Sequence, residues 1–318
     1  MSTKTLFITG GSGFVGSTVI ETALAQGYAV TALSRSDSSD DYIRSLGATP
    51  VRGDLKTHDV LTAEASKADV VINIADSIAR EFGKMLPEER FAINNGATKA
   101  LAEGLKGSGK PLILTSGTLY ARADPEGKET DEESPGWPAD HPFASVHEKD
   151  NLRYKDDGVR VCILRLAPFV YGRAGSGVKL FMQNFAKAGA GTYIDDGSAR
   201  ITTVHVEDAA RLYLLLAGNA KAEGIYNATS ETTPTHGQLA KAIAKAVGVE
   251  CHAMPYKDAV ANMGEWFASF ISCECRASNA KAKRELGWEI RAEKGVLEEI
   301  ATGSYVALAE ELKKGGGQ

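Results

Sequence analysis

ITGGSGFVG, residues 8–16, decides the architecture. It closes an apolar run, TLFITG, that reads as a buried strand. It opens FVGSTVIETALAQGY, whose apolar spacing suits an amphipathic helix. Gly10, Gly13 and Gly16 permit a tight turn and let a pyrophosphate lie close to the backbone at the positive end of the helix. Glycines serve any strand-to-helix turn, so the pattern alone is weak. At the end of the first strand it points to a dinucleotide site.

Outward from this turn, short apolar runs alternate with helical ones. AVTALSR, TPVRGD, DVVINIAD and PLILTSG read as further buried strands, with DDYIRSLG and EERFAINNGATKALAEGLKGSG as helices between them. Such alternation gives parallel strands with right-handed crossovers, hence an α/β doubly wound parallel sheet. ARADPEGKETDEESPGWPADHP follows, acidic and rich in proline and glycine. It suits a solvated loop or a cover for the site, and its acidity favours the loop. VRVCILRLAP then returns to the sheet. From about residue 172 the pattern loosens: GVKLFMQNFAKAG, VEDAARLYLLLAG, THGQLAKAIAKAVG and NAKAKRELGW look helical, with TYID and GIYNAT extended. Residues 1–171 are expected to form a dinucleotide-binding domain. Residues 172–318 are expected to form a smaller C-terminal α/β substrate lobe, with the chain free to cross back between the two.

With 318 residues the chain buries a substantial core. Its net charge of -5 argues against nucleic acid as a partner, because phosphate binding needs a basic surface. The start, MSTKTLFITGG, is neither a secretory segment nor a membrane span, and no later run reaches spanning length. Cys162, Cys251, Cys273 and Cys275 form no zinc-type pairs, so no metal is expected. Cys162 reads as a small buried hydrophobe in VRVCILRL. Reduced thiols imply a cytoplasmic protein.

The second strand ends at Ser34-Arg35-Ser36, where an acidic residue would hold the ribose 2′-hydroxyl of NAD. A guanidinium and two hydroxyls suit a 2′-phosphate, which Arg35 is able to grip bidentately. NADP is therefore expected, and the nearby Asp37 keeps NAD open.

These residues bring a resemblance into view. The chain resembles, over nearly its whole length, the extended short-chain dehydrogenase/reductases of the NAD-dependent epimerase/dehydratase type, with a Rossmann-type fold. GGSGFVG is similar to the family's glycine turn, which places Gly10, Ser12, Gly13, Phe14, Val15 and Gly16 against the coenzyme. Asp54-Leu55 matches the pair packed on adenine. INIAD, with Ile74, Ala75 and Asp76, matches the strand end beside the cofactor ribose. Asn94 resembles a structural asparagine. LTSGTLY resembles the strand carrying the active-site serine, Ser116. RLAPFVYG, with Pro168, Phe169 and Val170, matches the run whose backbone faces the nicotinamide. ARITTVHVEDAA and KAKRELGW resemble closing elements of the substrate lobe. Arg200 falls where epimerases of nucleotide sugars often hold a phosphate; an inter-lobe salt bridge fits it equally. Relatives commonly pair through two helices of the sheet domain, so the resemblance implies a monomer or a homodimer.

The resemblance breaks at one place. In FASVHEKDNL, residues 143–152, Lys149 is present, but Ser145 stands where the family has its general-acid tyrosine. Tyrosine and lysine at this spacing share one helix face, and the ammonium eases formation of the phenolate. A serine alkoxide is far harder to form. Shifting the register by one pairs Ala144 with Glu148, which supplies no phenol either. The helix looks like that of a divergent branch whose reactions are poorly defined. Tyr120 is then the best-placed phenol, although relatives carry a tyrosine there without using it. His147 and Tyr154 point elsewhere on the helix, and His205 matches a position that packs between lobes. Lys149 remains a candidate for the ribose hydroxyls. MGEWFASFISC brings Trp266, Phe267 and Phe270 to the place where relatives line the substrate cavity. Three functions fit: an NADP-dependent oxidoreductase acting on a small, apolar or aromatic carbonyl or alcohol, with Ser116 binding the substrate oxygen and Tyr120 or water handling the proton; an epimerase or dehydratase that retains its nucleotide; or a non-catalytic NADP-binding or sensing protein.

Overall fold

The computed structural model describes residues 3–77, 87–138, 141–144 and 147–315. Its first half is a regular alternation: β1 (Thr5–Thr9), α1 (Phe14–Ala25), β2 (Ala29–Ser34), α2 (Asp37–Ser45), β3 (Thr49–Arg52), α3 (His58–Lys67), β4 (Val70–Asn73), α4 (Pro87–Leu105) and β5 (Pro111–Gly117). A long loop leads to α5 (His147–Asp150), then β6 (Arg160–Leu166), β7 (Phe169–Tyr171), α6 (Ser176–Ala188), β8 (Ala190–Ile194), β9 (Thr203–His205), α7 (Val206–Gly218) and β10 (Gly224–Ala228). The remainder is α8 (His236–Val247), β11 (Glu250–Met254), α9 (Tyr256–Met263), α10 (Glu265–Phe270), α11 (Ala280–Leu286), α12 (Val296–Thr302) and α13 (Tyr305–Gly315).

Seven strands form one parallel sheet in the order β3-β2-β1-β4-β5-β6-β10. Its central strands are apolar throughout because both faces are covered. Ile8, Ile72, Ile113 and Leu164 pack with Ile20 of α1 and Tyr213 of α7 on one face. Phe7, Val71, Leu112 and Ile163 pack with Leu61 of α3 and Leu101 of α4 on the other. The strand order reverses between β1 and β4, which opens a crevice at the carboxyl ends of the strands.

The stretch GIYNAT, expected beyond residue 172, is β10, and it pairs with β6 in the main sheet. VEDAARLYLLLAG is α7, packed against α1. The chain thus crosses back to the sheet before closing the second core, in which α6, α8, α12 and α13 surround Phe169 and Tyr171. Two small parallel pairs, β7 with β9 and β8 with β11, complete it.

Candidate active-site cleft

The glycine turn is built as a backbone cradle. Gly10 sits at φ +74°, and a Cβ there would lie 2.9 Å from the Ala75 amide nitrogen. A Cβ on Gly16 would lie 2.1 Å from the Gly10 carbonyl oxygen, and one on Gly13 3.2 Å from it. Only glycines let β1 turn into α1 so closely beside the end of β4. The first amides of α1 lack intrahelical acceptors and are open to an anion. A pyrophosphate fits the donors here, because these amides have no side chain of their own turn as partner. Phe14 and Val15 turn their side chains back onto the core, and Ser12 is exposed.

At the adenosine end, the three predicted residues take different tasks. Ser34 is buried, and its hydroxyl donates to the Ser36 carbonyl at 3.2 Å. Ser36 caps α2 by accepting from the Ser39 amide at 3.3 Å. Arg52 is held by Asp37 and Asp40, each at 2.6 Å. Arg35 is exposed, and among the described residues it forms no ion pair. The Asp54 carboxylate accepts from the Lys56 and Thr57 amides at 2.8 and 3.1 Å and so fixes the start of α3, while Leu55 is buried.

From Ala75 a cleft of about 470 Å³ runs across the ends of β4, β5 and β6. Ile74, Ala75, Asp76, Ser116, Tyr120 and Pro168 all line it. Asp76 receives Arg90 of α4 bidentately at 3.0 and 2.5 Å. Asn94 accepts from the Ser77 amide at 3.1 Å and ties the end of β4 to α4. Ser116 is half-buried and makes no side-chain hydrogen bond among the described residues. The side chains of Phe169 and Val170 are buried in the two cores, so this run meets the cleft through Ala167 and Pro168.

Lys149 is exposed and is not among the residues lining the cleft. The inward residue of α5 is Glu148, in the register that pairs it with Ala144, which also lines the cleft. The reason lies in the sheet. Arg165 of β6 is fully buried, and its Nε and Nη2 donate to Glu148 at 2.8 and 2.5 Å. The pair turns α5 so that the next residue faces solvent. Ser145 lies outside the described residues, as does the His147 side chain. Tyr154 is buried in the core behind α5. His205 accepts from the Glu207 amide at 3.3 Å and packs edge-on to Tyr171, away from the cleft.

Arg165 has further neighbours that the sequence reading missed. It stands in register with Ser116 on β5 and Asn227 on β10. Its guanidinium carbon sits 4.7 Å from the centre of the Tyr120 ring, a cation–π contact. Burial, and next the negative charge of Glu148, push the Tyr120 phenol above its ordinary value; Arg165 pulls the other way.

The opposite wall is aromatic. Phe143 meets Trp266 edge-on at 5.7 Å, and Trp266 stacks on Phe270 at 5.5 Å. All three rings line the cleft, whereas Phe267 packs behind them in a smaller core. Trp137 stacks on His141 at 3.7 Å, meets Phe143 edge-on and donates its Nε1 to the Leu119 carbonyl at 2.7 Å. The acidic loop is therefore pinned rather than merely solvated. Its Glu132 is buried and accepts from the Asn227 amide at 2.9 Å.

Arg200 faces a separate depression and is fully engaged with Glu274, through its amide at 2.6 Å and its side chain at 2.7 Å. Burial raises the thiols of Cys162, to about 11, and of Cys273 and Cys275. No group of metal-binding side chains occurs among the described residues, and no helix among them is long and apolar enough to cross a membrane.

This sheet order, with the cleft at the strand ends, defines a Rossmann-type α/β protein. The chain belongs to the NAD dependent epimerase/dehydratase family, whose model matches residues 6–229. An uncharacterised protein of Saccharomyces cerevisiae is 32% identical over 299 residues, covering 93% of this chain and 97% of that one. A sterol-4-alpha-carboxylate 3-dehydrogenase, decarboxylating, of Dictyostelium discoideum is 39% identical over 98 residues, 31% of this chain and 29% of that protein. Among solved structures, UDP-glucose 4-epimerase of Thermus thermophilus in complex with NAD superposes with a TM-score of 0.72 at 22% identity, over 95% of this chain and 98% of that one.

Proposed function

We propose that the chain is an NADP-dependent oxidoreductase acting on a small carbonyl or alcohol with an apolar or aromatic body. The observation that carries this reading is Ser116, without a side-chain hydrogen bond among the described residues and lining a cleft between a backbone cradle for a dinucleotide and a wall of three aromatic rings. Gly10, Gly13, Gly16 and Ala75 would hold the pyrophosphate side, and Pro168 would stand beside the nicotinamide. When bound, such a coenzyme supplies or receives the hydride. Ser116 hydrogen-bonds the substrate oxygen, while Phe143, Trp266 and Phe270 hold the apolar body and exclude water.

The choice of NADP rests on Arg35. Asp37, the one acid near enough to favour NAD, is committed to Arg52, and Ser36 is committed to its helix. Hydrogen bonds to a charged partner contribute about 1.5–3 kcal/mol. NADPH is therefore expected to bind about 10–100-fold more tightly than NADH in a fluorescence titration, and Arg35→Ala to remove most of that preference. Equal affinities in the unmutated protein would sink the NADP assignment.

A nucleotide-sugar epimerase is the weaker reading because Glu274 neutralises the cation that a diphosphate would need. UDP-glucose at about 1 mM is expected to give no thermal stabilisation, since the half-exposed Arg200–Glu274 contact already satisfies the cation a diphosphate would need. A clear shift of the melting temperature would favour the epimerase instead.

A further inference from the structure

We propose that Tyr120 is the proton donor of the site and that Arg165, clamped by Glu148, is the residue that positions Tyr120 and stabilises its phenolate. This rests on the carbonyl-reductase reading above. Three observations lead to it. Tyr120 lines the cleft with Ser116, and its hydroxyl makes no hydrogen bond among the described residues. The guanidinium that faces its ring is fully buried, and Glu148 holds it by two of its nitrogens. The third nitrogen, Nη1, is buried without a partner among the described residues.

A purely structural ion pair explains the clamp but not why its cation is spread under the one free phenol of the cleft. In a reduction, the carbonyl carbon takes the hydride and its oxygen takes the Tyr120 proton, so a C–H and an O–H bond form while the coenzyme's C–H bond, the carbonyl π bond and the phenol O–H break. The carbonyl is reduced, the coenzyme is oxidised, and solvent re-protonates the phenolate. Burial and Glu148 keep the phenol protonated beforehand, which suits a donor. Arg165 faces the negative charge that appears on the ring afterwards. The charged groups around the phenol are Glu148 and Asp150 of α5 and Arg165 of β6. Their opposite signs make the balance adjustable.

The test uses the full chain labelled with ¹³C at tyrosine Cζ, with Tyr120→Phe identifying the resonance. Glu148→Gln is expected to lower the Tyr120 titration midpoint by about one pH unit, and Arg165→Met to raise it by a similar amount. Arg165→Lys, which keeps the charge, is expected to restore much of the loss. A merely structural role would not shift the two variants in opposite directions; where Arg165→Met fails to fold, the near-isosteric Glu148→Gln decides. With acetophenone as the probe, Tyr120→Phe is expected to slow NADPH oxidation by about 10²–10⁴-fold at unchanged NADPH affinity. A resonance indifferent to Glu148→Gln, or a Tyr120→Phe protein as fast as the unmutated one, overturns the proposal alone. An unmutated protein that binds NADPH but reduces no aryl ketone overturns the reductase reading and this proposal with it.

Discussion

Arg165→Met is expected to lower the unfolding free energy by about 3–5 kcal/mol, the range for leaving a buried charge without its partner. Both side chains of the pair are essentially inaccessible, at 0% for Arg165 and 2% for Glu148. Methionine fills much of the stem volume, so the loss is not chiefly one of packing. It arises because the Glu148 carboxylate stays where α5 puts it, under the sheet, with both oxygens stripped of their donors. The site must then open to water or take up a proton, and either response undoes the docking of α5. The double variant Glu148→Leu/Arg165→Met removes both charges and is expected to recover most of the stability, since a well-packed apolar pair often equals a buried ion pair. Urea midpoints of the two proteins check this. A loss below about 1 kcal/mol in the single variant would show that water already reaches the pair.

The sheet was legible in the letters because its strands are short apolar runs closed by turn residues, and a parallel sheet covered on both faces demands that pattern. Helix α3 was not. THDVLTAEASK buries only Leu61 and Ala65, and it packs against α4 by close backbone approach. A Cβ on Gly104 would lie 2.4 Å from the Thr62 carbonyl oxygen. Small residues at such a contact leave no periodic apolar signal to read. Ser116, Trp266 and Phe270 were reached only through the family resemblance, whereas the glycine turn has a local spacing that can be read. Glu148 and Arg165 were hidden for the opposite reason. They lie 17 residues apart, and the arginine sits in VRVCILRL, a run that otherwise reads as plain core. A charged residue at an inward strand position is itself a signal. Its partner becomes visible only when β6 and α5 are placed together.

Ser116→Ala is expected to lower turnover by about 10²–10³-fold, the range for removing one preorganised donor to a developing oxyanion. The stability of the variant should stay within about 0.5 kcal/mol of the parent, because the hydroxyl makes no hydrogen bond among the described residues and alanine leaves β5 intact. Coenzyme affinity should be unchanged as well, which separates a lost donor from a damaged cradle. Ser145→Ala, at the position where relatives keep a phenol, is expected to alter turnover by no more than about twofold, since a serine there offers neither acid nor base near neutral pH. Steady-state NADPH oxidation on both variants, with a fluorescence titration of coenzyme alongside, decides between the two serines. If Ser145 proves essential and Ser116 dispensable, the reacting oxygen does not lie against the end of β5. Tyr120 and Arg165, which share the Ser116 side of the cleft, would then stand too far from the chemistry to act in it.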